Sequence, residues 1–279
     1  MVEPTWANFI GALDIFRDAI LCGAAAGAVL GYLGVLIVLR RMVFVTAAIT
    51  QSAGFGIALG MYVGIVFDVE MNLVLWAIGV SLLAAGMFAF DARKLNLSRE
   101  SVLALVWLVG AGGAVLLGDR ITQEAHDVSS IMFGTAVLVD QADLILVVSV
   151  GAVALGLCIW AQRGLVFAGY DPDGARVQGI PVRLLELSFL ALVTLEASVA
   201  TRALGALPVF AFSVLPGMAA LLAMPKLKWA FPVALVGGVV AAVVGYMAAF
   251  FLSFPVGASQ AAVAVLLVVV ALPIKLIRG

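Results

Sequence analysis

Charge is scarce in this chain. Of 279 residues, 11% are charged against 65% hydrophobic, and 15 basic and 16 acidic side chains leave a net charge of −1. So even a balance excludes the strongly basic surface that a nucleic-acid partner requires. Histidine occurs once and cysteine twice. One imidazole and two distant thiols, Cys22 and Cys158, cannot build a hydrolytic triad or a closed zinc site. Both cysteines lie in apolar runs and read as small buried residues. No GxxxxGK[ST] loop occurs and no lysine follows a glycine, so the chain does not bind and hydrolyse ATP by that route. The opening MVEPTWANF has neither a basic stretch nor a cleavage pattern and does not read as a signal peptide. No catalytic constellation or cofactor motif is present, which argues against an enzyme. Energised work must draw on a partner or an ion gradient.

What the chain has instead is apolar length. Mean hydropathy is +1.24 and glycine occurs 29 times, the profile of an all-α, polytopic membrane protein. Runs with little or no charge mark nine spans, with eight as the alternative count: Ala19–Leu39, within Met42–Phe67, Met71–Phe90, Ser101–Gly118, Leu144–Gln162, Leu184–Thr201 with Glu186 at its start and interrupted by Glu196, Ala203–Pro225, and two within Trp229–Ile274 divided at SFPVG, Ser253–Gly257. Pro208 and Pro216 predict a broken helix in the seventh. With nine crossings, Arg40, Arg41, Arg93, Lys94, Arg99, Arg163, Arg176, Arg183, Lys226, Lys228, Lys275 and Arg278 share one side, against Arg17, Arg120 and Arg202 on the other. The richer side is cytoplasmic by the positive-inside rule, which puts the N-terminus outside and the C-terminus inside. The whole chain, 1–279, reads as one multi-pass transmembrane domain.

Three smaller features complete the organisation. Trp6, Phe9, Ile10, Leu13 and Phe16 recur at helical spacing, so residues 1–18 read as an interfacial helix. Asp119–Asp143 reads as an outer loop with a short helix, and His126, beside Glu124 and Asp127, as a surface histidine. Gly23, Gly27 and Gly31, and again Gly56, Gly60 and Gly64, recur every four residues. Such faces let helix backbones approach closely, here within the chain rather than between subunits.

Two places carry candidate function. In AGYDPDGARVQGIPVR, Ala168–Arg183, Asp171 and Pro172 form a helix start and Gly179 a helix stop. They bound a polar helix of about two turns over Pro172–Gln178, which is too short to span and suits a docking knob. The second place is Glu196, near the middle of the sixth span. A carboxylate at that depth costs about 2.5–3.5 kcal/mol on insertion scales, so it faces protein or water and marks either a path or a tie between helices. Thr50, Gln51, Ser52 and Ser198 are its candidate neighbours in the translocation path. Arg202 is six residues away, an offset that does not put it on the same helix face.

DPDGARVQGIPV resembles the cytoplasmic DPE-x-AR-x-x-G element of the permease subunits of bacterial zinc and manganese ABC importers. In the same order along the chain, GAVLGYLGVLIVLRRMVF, IMFGTAVLVDQADL, GALPVFAFSVLPGMAALLA and SFPVGASQAAVAVLL resemble four further segments of that family. Together they cover about Trp6 to Lys275. The resemblance implies a permease subunit paired with a second permease, driven by separate cytoplasmic ATPases and fed by an extracytoplasmic substrate-binding protein. It also implies that Asp171, Pro172, Ala175, Arg176 and Gly179 form the coupling helix seated in the ATPase. The chain departs from the family in the second span, where an aspartate and, four residues on, a histidine are usual. Here Ala47 and Gln51 stand at those positions, and neither is a transition-metal ligand of any strength. Two other readings therefore stay open. The same architecture could move a metal chelate or a small organic molecule, or it could serve as a membrane scaffold that no longer transports. An ion-coupled transporter would explain Glu196 but not the coupling-helix motif.

Overall fold

The computed structural model describes residues 5–11, 13–89, 98–121 and 139–278. His126, Glu124 and Asp127, and the short helix expected near them, lie outside the described residues. Among the described residues there are twelve helices and no strand. In chain order they are α1 (Trp6–Gly11), α2 (Leu13–Leu39), α3 (Val43–Phe67), α4 (Leu73–Ala89), α5 (Arg99–Arg120), α6 (Gln141–Trp160), α7 (Gln162–Tyr170), α8 (Pro172–Val177), α9 (Val182–Leu204), α10 (Ala206–Ala223), α11 (Leu227–Leu252) and α12 (Val256–Arg278).

Eight of these are long and apolar enough to cross a membrane: α2, α3, α5, α6, α9, α10, α11 and α12. They match eight of the nine expected spans. The remaining one is α4, apolar over 17 residues. At 1.5 Å per residue its described part runs about 25 Å, against a hydrocarbon core of about 30 Å. The division expected at SFPVG is present. Ser253 turns left-handed at φ 55°, the Phe254 amide donates to the Ala249 carbonyl, and α12 starts just after Pro255.

The seventh span corrects an expectation, because α10 is a single helix and not a broken one. Pro208 falls in its first turn, where no intrahelical amide partner is missing. Pro216 lies in the interior and is buried between neighbouring helices, the setting in which a spanning helix tolerates proline. The interruption falls earlier, at Gly205, between α9 and α10.

α2 is the hub. It packs against α10 and α11 on one side and α6 on the other, while α3 gathers α4 and α5, and α9 bridges to α3, α4 and α6. The glycine ladders are used inside the chain. Gly27 and Gly31 of α2 meet Gly238 and Ala234 of α11 backbone to backbone, and Gly56 and Gly60 of α3 meet Trp76 of α4. A methyl at Gly238 would overlap the Gly27 carbonyl, so at that crossing α2 and α11 can touch only because neither residue carries a side chain. α5, α6, α11 and α12 turn most of their apolar side chains outward, Leu116, Trp160 and Val270 among them, a surface suited to lipid rather than water.

At the N-terminus the aromatic residues fold back on the end of α11. The Trp6 ring lies 4.6 Å from that of Phe251, Phe9 lies 5.1 Å from Phe250, and Phe16 lies 5.7 Å from Tyr246. α1 is only Trp6–Gly11, and from Leu13 the chain is already the helix of the first span. Cys22 and Cys158 are buried free thiols.

Candidate functional site

The short helix between the fifth and sixth expected spans is built by its caps. The Asp171 side chain accepts from the Gly174 amide at 2.8 Å, and Pro172 occupies the first turn. At the other end Gly179 adopts φ 77°, its amide donates to the Arg176 carbonyl, and the Ile180 amide donates to the Ala175 carbonyl. This is the paired closure that favours glycine at the left-handed position. The helix ends at Val177, one residue before the expected end, with Gln178 as its cap. Ala175 is fully buried against Ala168 of α7 and Val182 of α9. Asp171, Pro172, Ala175 and Gly179 therefore shape and seat the knob. Its outer face is Asp173, Arg176 and Val177. Arg176 and Asp173 form an exposed ion pair at 2.7 Å, and Val177 is 89% exposed. A solvated pair of this kind adds little stability, which leaves both charges available to a partner.

Arg40, one residue past the end of α2, lies against α7 and α9, the helices on either side of the knob in the chain. Its Nη2 donates to the Leu165 carbonyl of α7 at 2.7 Å, and its guanidinium sits 5.2 Å from the centre of the Phe189 ring of α9. Burial pushes its pKa below the ordinary arginine value, and the nearby Glu186 carboxylate works in the opposite direction. Arg41 follows in a left-handed conformation, φ 57°.

The candidate path residues are placed as follows. Glu196 is fully buried and neither carboxyl oxygen has a hydrogen-bond partner. It faces Gly151 of α6, where a methyl would stand 3.2 Å from Oε1 and 2.9 Å from a Val29 methyl of α2. Thr50 donates to the Ala47 carbonyl, Ser52 to Ala48 and Ser198 to Thr194, each within its own helix. Gln51 is partly exposed and borders α5, where Gly110 packs on its backbone. Successive residues on a helix point about 100° apart, so Thr50, Gln51 and Ser52 do not share a face, and neither do Glu196 and Ser198. Arg202 pairs with Asp143, joining the end of α9 to the first turn of α6. Among the described residues no group of three or more His, Cys, Asp or Glu side chains converges as a metal site would require.

A model of the ABC 3 transport family matches residues 12–275. The chain belongs to this family. Among its relatives, the manganese import system permease protein of Streptococcus pneumoniae is 25% identical over 254 residues, covering 90% of this chain and 88% of that protein. The chelated iron transport system membrane protein of Yersinia pestis is 24% identical over 261 residues, covering 94% and 86%. The solved structure of PsaBC from Streptococcus pneumoniae, in complex with a Fab, superposes with a TM-score of 0.84 at 23% identity over 97% of this chain and 98% of that one. The solved structure of another ABC transporter, in an inward-facing conformation, superposes with a TM-score of 0.72 at 16% identity, over 98% and 90%. The fold is thus that of helical ABC permeases. The protein is a multi-pass plasma-membrane permease subunit of an ABC transport system.

For an ABC 3 family member, two residues and one ion pair of interest escape a reading of the sequence. Val177 carried a signal, since an apolar residue at the end of a polar helix with no core to enter is an exposed contact point. Arg40 stood out only as the first of two arginines. The Arg202–Asp143 pair spans 59 residues, and nothing local announces it.

Proposed function

We propose that the chain is the membrane half of an importer of the metal type, and that α8 is the element a cytoplasmic ATPase grips. The observation that carries this is the knob itself. It is capped at both ends, anchored by Ala175 and bare at Arg176 and Val177. Twelve of the fifteen basic residues would lie on its side of the membrane, which supports a cytoplasmic position, an outside N-terminus and α4 as a ninth, short crossing. A single subunit supplies half of a path, so a second permease completes it and an extracytoplasmic binding protein delivers the cargo. Reversing the charge with Arg176→Glu, or forcing a side chain into the left-handed cap with Gly179→Val, should strip co-purified ATPase while the permease still inserts. Full ATPase binding and coupling in both variants would refute the assignment.

The cargo has a second reading. Relatives are named for manganese and for chelated iron. At the α3 positions where the resembled family has an aspartate and a histidine, this chain has Ala47 and Gln51. A methyl and an amide do not hold a free transition metal tightly, because such sites need several converging anionic or imidazole donors. This favours cargo that arrives already complexed, passing Gln51 and Glu196 without being stripped of its own ligands.

A further inference from the structure

We propose that Arg40 is a positioning residue for coupling, the joint through which movement of the α7–α8 hairpin reaches α3. This rests on the reading of α8 as the ATPase-docking element. Arg40 closes a contact across 125 residues of chain, from the end of α2 to the Leu165 carbonyl of α7. The same guanidinium lies against the Phe189 ring of α9, so one side chain touches both helices that flank the knob. Ala175 of α8 is seated on those same two helices, through Ala168 and Val182. A push on the knob therefore bears on the two surfaces that hold Arg40.

Gly169 of α7 lies close beside the same side chain: a methyl there would stand 3.3 Å from Cγ and 3.5 Å from Nε of Arg40. On the far side the turn from α2 to α3 is short and stiff. The Arg40 amide donates to Leu36, Arg41 to Val38 and Met42 to Ile37, and the Met42 carbonyl accepts from Val45 and Thr46 to start α3. Every amide from Arg40 to Met42 is bonded, and Arg41 is held in a left-handed conformation that costs a non-glycine residue energy. A turn so fixed carries a displacement into α3, the helix that bears Ala47 and Gln51, rather than absorbing it. The Arg40 Nε is buried without an acceptor. The guanidinium thus holds one donor in reserve and can exchange acceptors as α7 and α9 shift. Its planar fork and flat face suit simultaneous bonding and stacking in a way a lysine does not.

The test reads motion directly and needs no knowledge of the cargo. The transporter complex, with its ATPase, is purified in lipid nanodiscs carrying Ala47→Cys as a reporter on α3; Cys22 and Cys158 are buried and give a low background. Labelling by N-ethylmaleimide is timed with and without ATP and vanadate. With Arg40 present, nucleotide should change the rate at least threefold. Arg40→Gln should abolish that difference while co-purified ATPase and its hydrolysis rate stay within twofold, and Arg40→Lys should restore part of it. Phe189→Leu, which leaves Arg40 in the chain and keeps an apolar side chain on α9 but removes the ring face against the guanidinium, should reduce the response and decides the matter if Arg40→Gln does not fold. The proposal is overturned if the reporter ignores nucleotide with Arg40 present, if Arg40→Gln loses the ATPase, or if the response survives both Arg40→Gln and Phe189→Leu. Arg176→Glu separates the two ideas. Should it keep the ATPase and the response, the docking reading fails. Should it lose the ATPase while Arg40→Gln responds normally, only the joint fails.

Discussion

Replacing Gly238 with alanine should do more harm than its single added methyl suggests. The new Cβ would overlap the Gly27 carbonyl oxygen. A normal contact needs about 3.4 Å, so α2 and α11 must part by roughly 1 Å or more. That opens the seam along which Ala26, Leu30, Ala234, Ala241 and Ala242 are buried. Overpacking of this kind costs about 1–3 kcal/mol, offset by the roughly 0.5–1 kcal/mol that alanine gains over glycine in a helix. The net cost is then up to about 2.5 kcal/mol, and at about 2–4 °C per kcal/mol for chains approaching this size, the melting midpoint in detergent, followed by size-exclusion of heated samples, should fall by up to about 10 °C. Gly156→Ala is the matched control. Nothing lies within 4 Å of a methyl there, so only the helix gain remains and the midpoint should hold or rise. If Gly238→Ala tolerates heat as well as Gly156→Ala, the backbone contact between α2 and α11 does not exist as described.

Three further outcomes follow from the site. Glu196→Gln keeps the shape of the fully buried side chain, so thermal stability should hold while transport of the native cargo by the reconstituted complex falls at least severalfold; unchanged transport would remove Glu196 from the path. Purified wild-type protein should retain little manganese or zinc after gel filtration, and Ala47→Asp with Gln51→His should raise retention; tight binding by the wild type would contradict the argument from α3. Native mass spectrometry from lipid should give two permeases per complex, and a transport-active complex with a single permease would disprove the pairing.

The sequence made legible whatever is decided locally. Caps are local, so Asp171, Pro172 and Gly179 bounded α8 to within a residue, and runs with little or no charge located the spans. The proline rule failed at Pro216 because it describes an isolated helix, whereas α10 is enclosed by its neighbours. Thr50, Ser52 and Ser198 stand out in the sequence because polar groups in a span need partners, and each finds one locally, donating to a carbonyl one turn back on its own helix. The partners of Arg202 and Arg40 lie 59 and 125 residues away, beyond any periodicity, and only the packed structure brings them together.

The most direct measurement of the central claim is made at the tip of the knob. Val177→Cys adds one exposed thiol to a protein whose own two are buried. In inverted membrane vesicles, a short bifunctional thiol reagent should join this position to the ATPase subunit, and an impermeant maleimide should reach it in inverted but not right-side-out vesicles. Leu116→Cys, on the apolar flank of α5, should give no such adduct. An ATPase adduct at Val177 alone is the result expected of a coupling helix. Labelling from the outer face, or no adduct while the ATPase remains bound, would contradict it.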